Sequence, residues 1–207
     1  MAYKPLFPSD WALENVLTLL AAWWLVRAHR RRPLSNGALA MLWVFGTAHV
    51  VGSHYTYAEV PYDAWSKAAF GTGVNDVFGA TRNHYDRLVH FLFGLLCYRP
   101  LREAMGNALP DTDAARWLVV AVVVALSAVY EDLEWAAAVV FGGDLGQAYL
   151  GTQGDVWDAH KDTLMAIVGA IGAALISMVC ARRRRGVRGR ATCRDGTASD
   201  CRSNDRG

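Results

Sequence analysis

Glu131 and Glu134 stand three residues apart, and Asp86 and His90 four apart, so in helices each pair shares a face. Carboxylates with an imidazole are a donor set for a divalent metal: oxygen-rich sites favour Mg²⁺, Ca²⁺ or Mn²⁺, and imidazole admits Zn²⁺. Such an ion neutralises buried acids and can activate a water for hydrolysis. Paired acids can equally share a proton and serve acid/base work or ion translocation, and spacing alone does not choose. Asp155, Asp158 and Asp162 follow i, i+3, i+7 and form a third candidate face if their helix begins before Asp155, a start that Gly151 and Gly154 bear upon.

The elements that must position these groups are apolar. The chain has 207 residues, 53% hydrophobic and 19% charged, with eight Trp. Apolar stretches run at about Trp11–Val26, Ala38–Val51, Leu88–Leu101, Trp117–Phe141 and Leu164–Ala181. Several approach the roughly 20 residues needed to cross hydrocarbon. An all-α, polytopic transmembrane bundle of about five spanning helices is expected. Leu88–Leu101 is the shortest, and it spans if Arg87, Arg99 and Arg102 snorkel outward or the helix extends through Asp86.

Lys and Arg set the orientation. With the N-terminus out and the C-terminus in, sixteen of the 21 fall on inner segments, leaving Lys4, Lys67, Arg82, Arg87 and Lys161 outside. The positive-inside rule favours this arrangement. Thirteen of the 19 acids and five of the six histidines collect at the opposite, outer side, so a formal net charge of +2 hides two oppositely charged faces. At 1.5 Å per residue Glu131 lies about 22 Å along its helix from Arg116, in the outer half of the bilayer. His49 and His54 sit at the outer end of the second helix and Glu14 at that of the first.

Organisation along the chain follows: an N-terminal segment over 1–9, a helical membrane domain over 10–182, and an Arg-rich cytosolic tail over 183–207 too poor in apolar residues to fold alone. The N-terminus lacks the basic region and small-residue cleavage site of a secretory signal. Arg182–Arg185 reads as a stop-transfer anchor meeting anionic headgroups, and no nucleic-acid partner is expected. Cys97, Cys180, Cys193 and Cys201 form no CxxC pair, which argues against a redox motif, a thiolate zinc site and a structural disulfide. The outer segment of about Tyr55–His84 is long for a compact bundle, and with Pro61, Gly71, Gly73 and Gly79 it is expected to fold over the outer mouth as a lid.

Structural readings stand beside the chemical ones. Asp86 with Arg82 or Arg87, and His90 with a facing Glu, can be buried pairs that lock helix register. His49 suits a helix-to-helix hydrogen bond. His84, His160, Asp132 and Asp144 are expected to face water or headgroups. Trp11, Trp65, Trp135 and Trp157 suit interfacial anchoring, and Gly169 with Gly172 and Ala173 close helix packing.

Four blocks in order are distinctive: His54-Tyr55-Thr56-Tyr57-Ala58 with Val60-Pro61; Arg82-Asn83-His84-Tyr85-Asp86-Arg87 with His90-Phe91; Glu131 with Glu134-Trp135; and Leu150-Gly151-Thr152-Gln153-Gly154-Asp155-Val156-Trp157-Asp158. Over about residues 10–180 the chain resembles the YjdF-like family of bacterial inner-membrane proteins. The resemblance implies a multi-pass inner-membrane protein and assigns no reaction. Members often carry one further apolar helix ahead of the segment that aligns with Trp11–Val26, and Asp132 stands where relatives look apolar, which removes it from the site candidates.

The leading expectation is a membrane-embedded, metal-dependent hydrolase or transferase acting at the outer headgroup level. Glu131, Glu134 and Asp86 would do the acid/base work; His54, His90, Asp155 and Asp158 would hold a divalent metal; Arg82, Arg87 and Tyr57 would bind a lipid or headgroup substrate. A cation or proton transporter or channel is the second reading, and an accessory protein docking a periplasmic partner the third.

Overall fold

The computed structural model describes residues 4–141 and 151–195. Among them no β-strand occurs, and the elements are helices in the order α1 (Pro8–Arg31), α2 (Asn36–His54), α3 (Tyr62–Phe70), α4 (Val74–Phe78), α5 (Tyr85–Met105), a 3₁₀ turn (Gly106–Ala108), α6 (Asp113–Phe141) and α7 (Asp158–Asp195). Each of the five apolar stretches lies within one long helix. Among the described residues, α6 and the Asp158–Arg184 part of α7 are long and apolar enough to cross a membrane.

Small residues explain why α5 and α7 make the most extensive contact in the bundle. A methyl placed on Gly94 of α5 would overlap the carbonyl oxygen of Ala166, and one on Gly169 of α7 the carbonyl oxygen of Phe91. Only hydrogen fits at these two crossings, so the backbones touch. Ala166, Ala170 and Ala174 are fully buried on the same face of α7. Gly172, expected to share this task, has nothing within 4 Å and faces open space. Tyr98, Val119, Val120, Val123 and Met178 complete the core between α5, α6 and α7.

α2 packs on α5, and α1 lies against α2. The start of α2 is tied to the end of α5 by its cap: the Ser35 side chain accepts from Ala38 N at 3.2 Å while its own N and Oγ donate to Glu103, each at 2.8 Å. α1 reaches α6 through the Tyr130 hydroxyl, which donates to Glu14 Oε2 at 2.9 Å. Large apolar side chains turned outward, among them Trp23, Trp24, Trp43 and Trp135, are what a bundle solvated by lipid presents and what a water-soluble one avoids.

Two expectations change. The Tyr55–His84 segment contains the short helices α3 and α4, latched by Lys67 to Asp63 at 2.9 Å and to Asp76 at 3.2 Å. It is tied to the bundle by Tyr57 Oη, 2.5 Å from His49 Nδ1 of α2, while Asn83 Nδ2 donating to Val60 O at 2.8 Å closes the segment on itself and Phe70 and Phe78 stay exposed. The last helix continues as far as Asp195, past the Arg182–Arg185 run where a disordered tail was expected to begin. Extending an already nucleated helix costs far less than starting one, and Arg and Ala are good helix formers. The expectations for Asp144, for Cys201 and for the tail beyond Asp195 lie outside the described residues.

Candidate functional site

The C-terminal ends of α2 and α6 and the N-terminal ends of α5 and α7 meet at one end of the bundle. The glycine contact between α5 and α7 sets their register there, and it brings Asp86 of α5 beside Asp158 and Asp162 of α7. One carboxylate oxygen from each of these three lies within 4.8 Å of the other two. Asp158 and Asp162 are 3% and 2% exposed. An oxygen triplet of that spread can close on one cation at the usual 2.0–2.6 Å after small side-chain rotations.

His90, one turn after Asp86, is buried with Nδ1 3.4 Å from Ser127 Oγ; its Nε2 lies 3.6 Å from Asp86 Oδ1 and 3.2 Å from Glu131 Oε1. The Glu131 contact is an ion-pair distance out of hydrogen-bond alignment, because Glu131 Oε1 is buried with no hydrogen-bond donor. Asp162 Oδ1 is orphaned in the same way. These two buried carboxylate oxygens without donors, one of them on a member of the acid triplet, are desolvated with no hydrogen bond to offset the cost.

The fixed cations of this end are already engaged. Arg82 Nη1 lies 3.3 Å from Asp155 Oδ2 and Nη2 2.9 Å from Asp158 Oδ1; Arg87 Nη2 lies 2.7 Å from Asp155 Oδ2 and 3.1 Å from Asp158 Oδ1. Lys161 adds a third cation on Asp155 Oδ2 at 2.5 Å. The Lys161 ammonium, with the Trp157 amide and Arg87, holds the Asp155 carboxyl down to about 2. Desolvation, with the Arg87 and Arg82 guanidiniums, keeps His84 below the usual imidazole range. Against these three cations stand Asp86, Asp155, Asp158, Asp162 and Glu131, with Glu134 and Glu14 within electrostatic reach behind them.

A second polar chain runs off this group. Tyr130 Oη, which bonds Glu14, also contacts the Glu134 carboxyl. Tyr57 Oη lies 2.5 Å from His49 Nδ1, and the other ring nitrogen of His49 meets Thr18 Oγ1 of α1. His49 thus makes the helix-to-helix bond expected of it.

The residues proposed from sequence sort into distinct groups. Asp86, Asp158, His90 and Glu131 come together. Glu134 lies one turn further along α6, with Glu14. Asp155 precedes α7, which begins at Asp158, so it sits outside the helical face and serves as the hub of the Arg82, Arg87 and Lys161 ion pairs. His54 ends α2 with its ring edge-on to Tyr55 at 4.7 Å and is not part of the carboxylate triplet. Both arginines, expected to hold an anionic headgroup, have Asp155 and Asp158 as partners. Tyr57 is buried, with a left-handed backbone (φ 53°) and its ring against Gly52, and its hydroxyl is committed to His49.

Sequence reasoning placed Asp162 on a face with Asp158 without choosing it as a ligand, although the i, i+4 spacing carried the signal. Ser127, four residues before Glu131, gave a similar cue. Gln153 gave none: its side-chain amide pairs with the backbone of Asn83, accepting from N at 3.0 Å and donating to O at 3.1 Å, and so docks the turn before α7 onto the start of α5.

Comparison with known proteins agrees with the helical, lipid-facing architecture. Residues 1–183 match the family model described as predicted membrane protein, DUF2238. Inner membrane protein YjdF of Escherichia coli (strain K12) is 34% identical over 163 residues, which is 78% of this chain and 74% of that protein. No solved structure matches. The chain belongs to the DUF2238 membrane-protein family.

Proposed function

We propose that this member of the DUF2238 family is a multi-pass inner-membrane enzyme, a hydrolase or transferase that works on a lipid or headgroup substrate from a divalent-cation site in the outer half of the bilayer. In this reading α1, α2, α5, α6 and α7 all cross, with the N-terminus outside and the C-terminus inside. The distribution of Lys and Arg supports that orientation.

One observation carries the metal assignment: Asp86, Asp158 and Asp162 converge within 4.8 Å in a nearly water-free setting where acids outnumber cations. Uncompensated charge is costly in such surroundings, so the excess must be neutralised by protons or by a bound cation. Asp86, Asp158 and Asp162 would be the ligands, with His90 and Glu131 beside them. A divalent ion there would supply a water of lowered pKa. Glu131 Oε1, which has no donor, would take that water's proton, and His90, held by Ser127, would orient Glu131. Arg82 and Arg87 act as fixed counter-charges to Asp158.

Metal analysis of the full chain purified in detergent tests this. A stoichiometric divalent ion, lost in Asp162→Asn and Asp86→Asn, is expected. A wild-type protein free of divalent ions after purification without chelators would end the metal reading.

Proton or cation translocation is the second reading, favoured by the Thr18, His49 and Tyr57 chain, which extends the polar groups between α1 and α2. Proteoliposome flux separates the two. Cation-driven flux abolished by His49→Phe, with no metal retained in detergent, favours transport over hydrolysis.

A further inference from the structure

The opposite end of the bundle carries its own unsatisfied chemistry, of the other sign. Arg102 near the end of α5 and Arg116 in the first turns of α6 both donate to a single atom, Asp111 Oδ1, at 2.7 Å and 2.5 Å. Arg116 is 1% exposed, the most completely buried charged side chain among the described residues. Its Nη1 donates to Asp113 Oδ1 at 2.9 Å, and Arg182 of α7 approaches Asp113 Oδ2 at 3.7 Å. Two donors are left over: Arg102 Nη1 and Arg116 Nε are buried and have no acceptor. Arg32 adds a further cation, its guanidinium lying on Gly106 just beyond α5.

Three arginines, from α5, α6 and α7, therefore face two aspartates. One carboxylate oxygen shared between two guanidiniums cannot accept from all the N–H groups directed around it. A buried arginine donor left without an acceptor is costly, and a tetrahedral oxyanion with three or four acceptor oxygens satisfies such a fork better than a planar carboxylate does. Asp111 is also easily displaced: its side chain is 65% exposed, in the loop between the 3₁₀ turn and α6. It occupies the fork from the solvent side, where a ligand would arrive.

We propose that the Arg102, Arg116 and Arg182 cluster is a binding site for a phosphate oxyanion, and that Asp111 is its internal competitor. The ligand enters by displacing the Asp111 carboxylate, and its oxygens then take up Arg102 Nη1 and Arg116 Nε. Two sources offer this chemistry at a basic membrane boundary: the headgroup of an anionic phospholipid and free inorganic phosphate.

The test uses the full chain. Retention of phosphatidylglycerol against phosphatidylcholine is measured by native mass spectrometry from mixed micelles, and inorganic phosphate binding by calorimetry, each for wild type, Arg102→Gln, Arg182→Gln and Asp111→Asn. Loss of a charge-assisted bond predicts about tenfold weaker binding in Arg102→Gln. Arg182→Gln, at an exposed position that leaves the fold intact, should weaken binding by a smaller factor. Asp111→Asn should tighten it several-fold, because the competitor loses its charge; a purely structural Asp111 has no reason to do so. Tightening seen with the lipid identifies a headgroup, and tightening seen with inorganic phosphate alone identifies a free anion; either supports the site. No binding of either probe overturns it. So does binding that Asp111→Asn and Arg102→Gln leave unchanged, which would place the anion on the arginines further along α7.

Discussion

Asp162 Oδ1 and Arg87 Nε face each other across 4.0 Å inside the acidic end of the bundle, too far apart for a hydrogen bond, and neither atom has another hydrogen-bond partner. An acid and a base that stop short of each other, in a protein where Arg82, Arg87 and Asp158 do pair, leave one carboxylate oxygen of the proposed cation site without a donor.

If a divalent cation occupies the proposed site, it binds the folded state and stabilises it by mass action, by about 2.7 kcal/mol at a hundredfold excess over Kd. Thermal unfolding in detergent should show a higher Tm for wild type with added divalent ion and a lower one with chelator. Asp162→Asn should respond to neither. A wild-type Tm indifferent to both would contradict the cation site.

Arg87 is the guanidinium common to Asp155 and Asp158 on its best-placed nitrogen. Replacing it with Gln leaves the nearly buried Asp158 with Arg82 as its remaining guanidinium, so the loss should fall below the about 3–5 kcal/mol of a buried pair broken outright. Arg87→Gln should therefore lower Tm. Adding Asp158→Asn should recover part of the loss, and strict additivity in this double-mutant cycle would mean the two residues are not coupled.

The crossing of α5 and α7 tolerates no side chain at Gly94 or Gly169, where backbone atoms of the partner helix occupy the position of a Cβ. Gly94→Ala should destabilise by roughly 1–3 kcal/mol through overpacking. Because this crossing sets the distance between Asp86 and Asp162, Gly94→Ala should also weaken metal retention. Gly172→Ala, which meets nothing, is the control and should change neither.

Asp155 gives a pH signature at the exposed edge of the site. Its carboxyl is depressed from 3.8 to about 2, first by Lys161, then by the Trp157 amide and Arg87. A depressed acid contributes stability that is fully present above its unfolded value and is lost as pH falls through the folded one. The Tm of wild type should thus fall from pH 3.8 toward about 2 more steeply than that of Asp155→Asn. Parallel curves would show that Asp155 is not held by these partners.

Tyr130 joins α1 to the rest of the bundle through Glu14. Tyr130→Phe removes a hydrogen bond to a buried carboxyl, worth about 0.5–1.5 kcal/mol for an ordinary hydrogen bond. Faster hydrogen exchange confined to α1 is the expected outcome; unchanged exchange there would mean that other contacts hold α1.

Much of this was legible in the residues themselves, because it is local. Hydrophobic runs set five long helices, helical spacing put Asp86 beside His90 on one face, and charge placement separated an acidic from a basic end. Each follows from a 3.6-residue repeat and the cost of charge in hydrocarbon, neither of which needs a partner helix. The tertiary structure decided which groups meet. Gly94 and Gly169 draw α5 onto α7, and that contact selects Asp162 for the cluster. The start of α7 at Asp158 turns Asp155 from a ligand candidate into an ion-pair hub, and the close approach of both arginines to it occupies the guanidiniums that a headgroup was expected to fill. Facing residues on different helices are related by crossing geometry and register, which arise from side-chain volume across the interface and leave no period within either helix's own sequence.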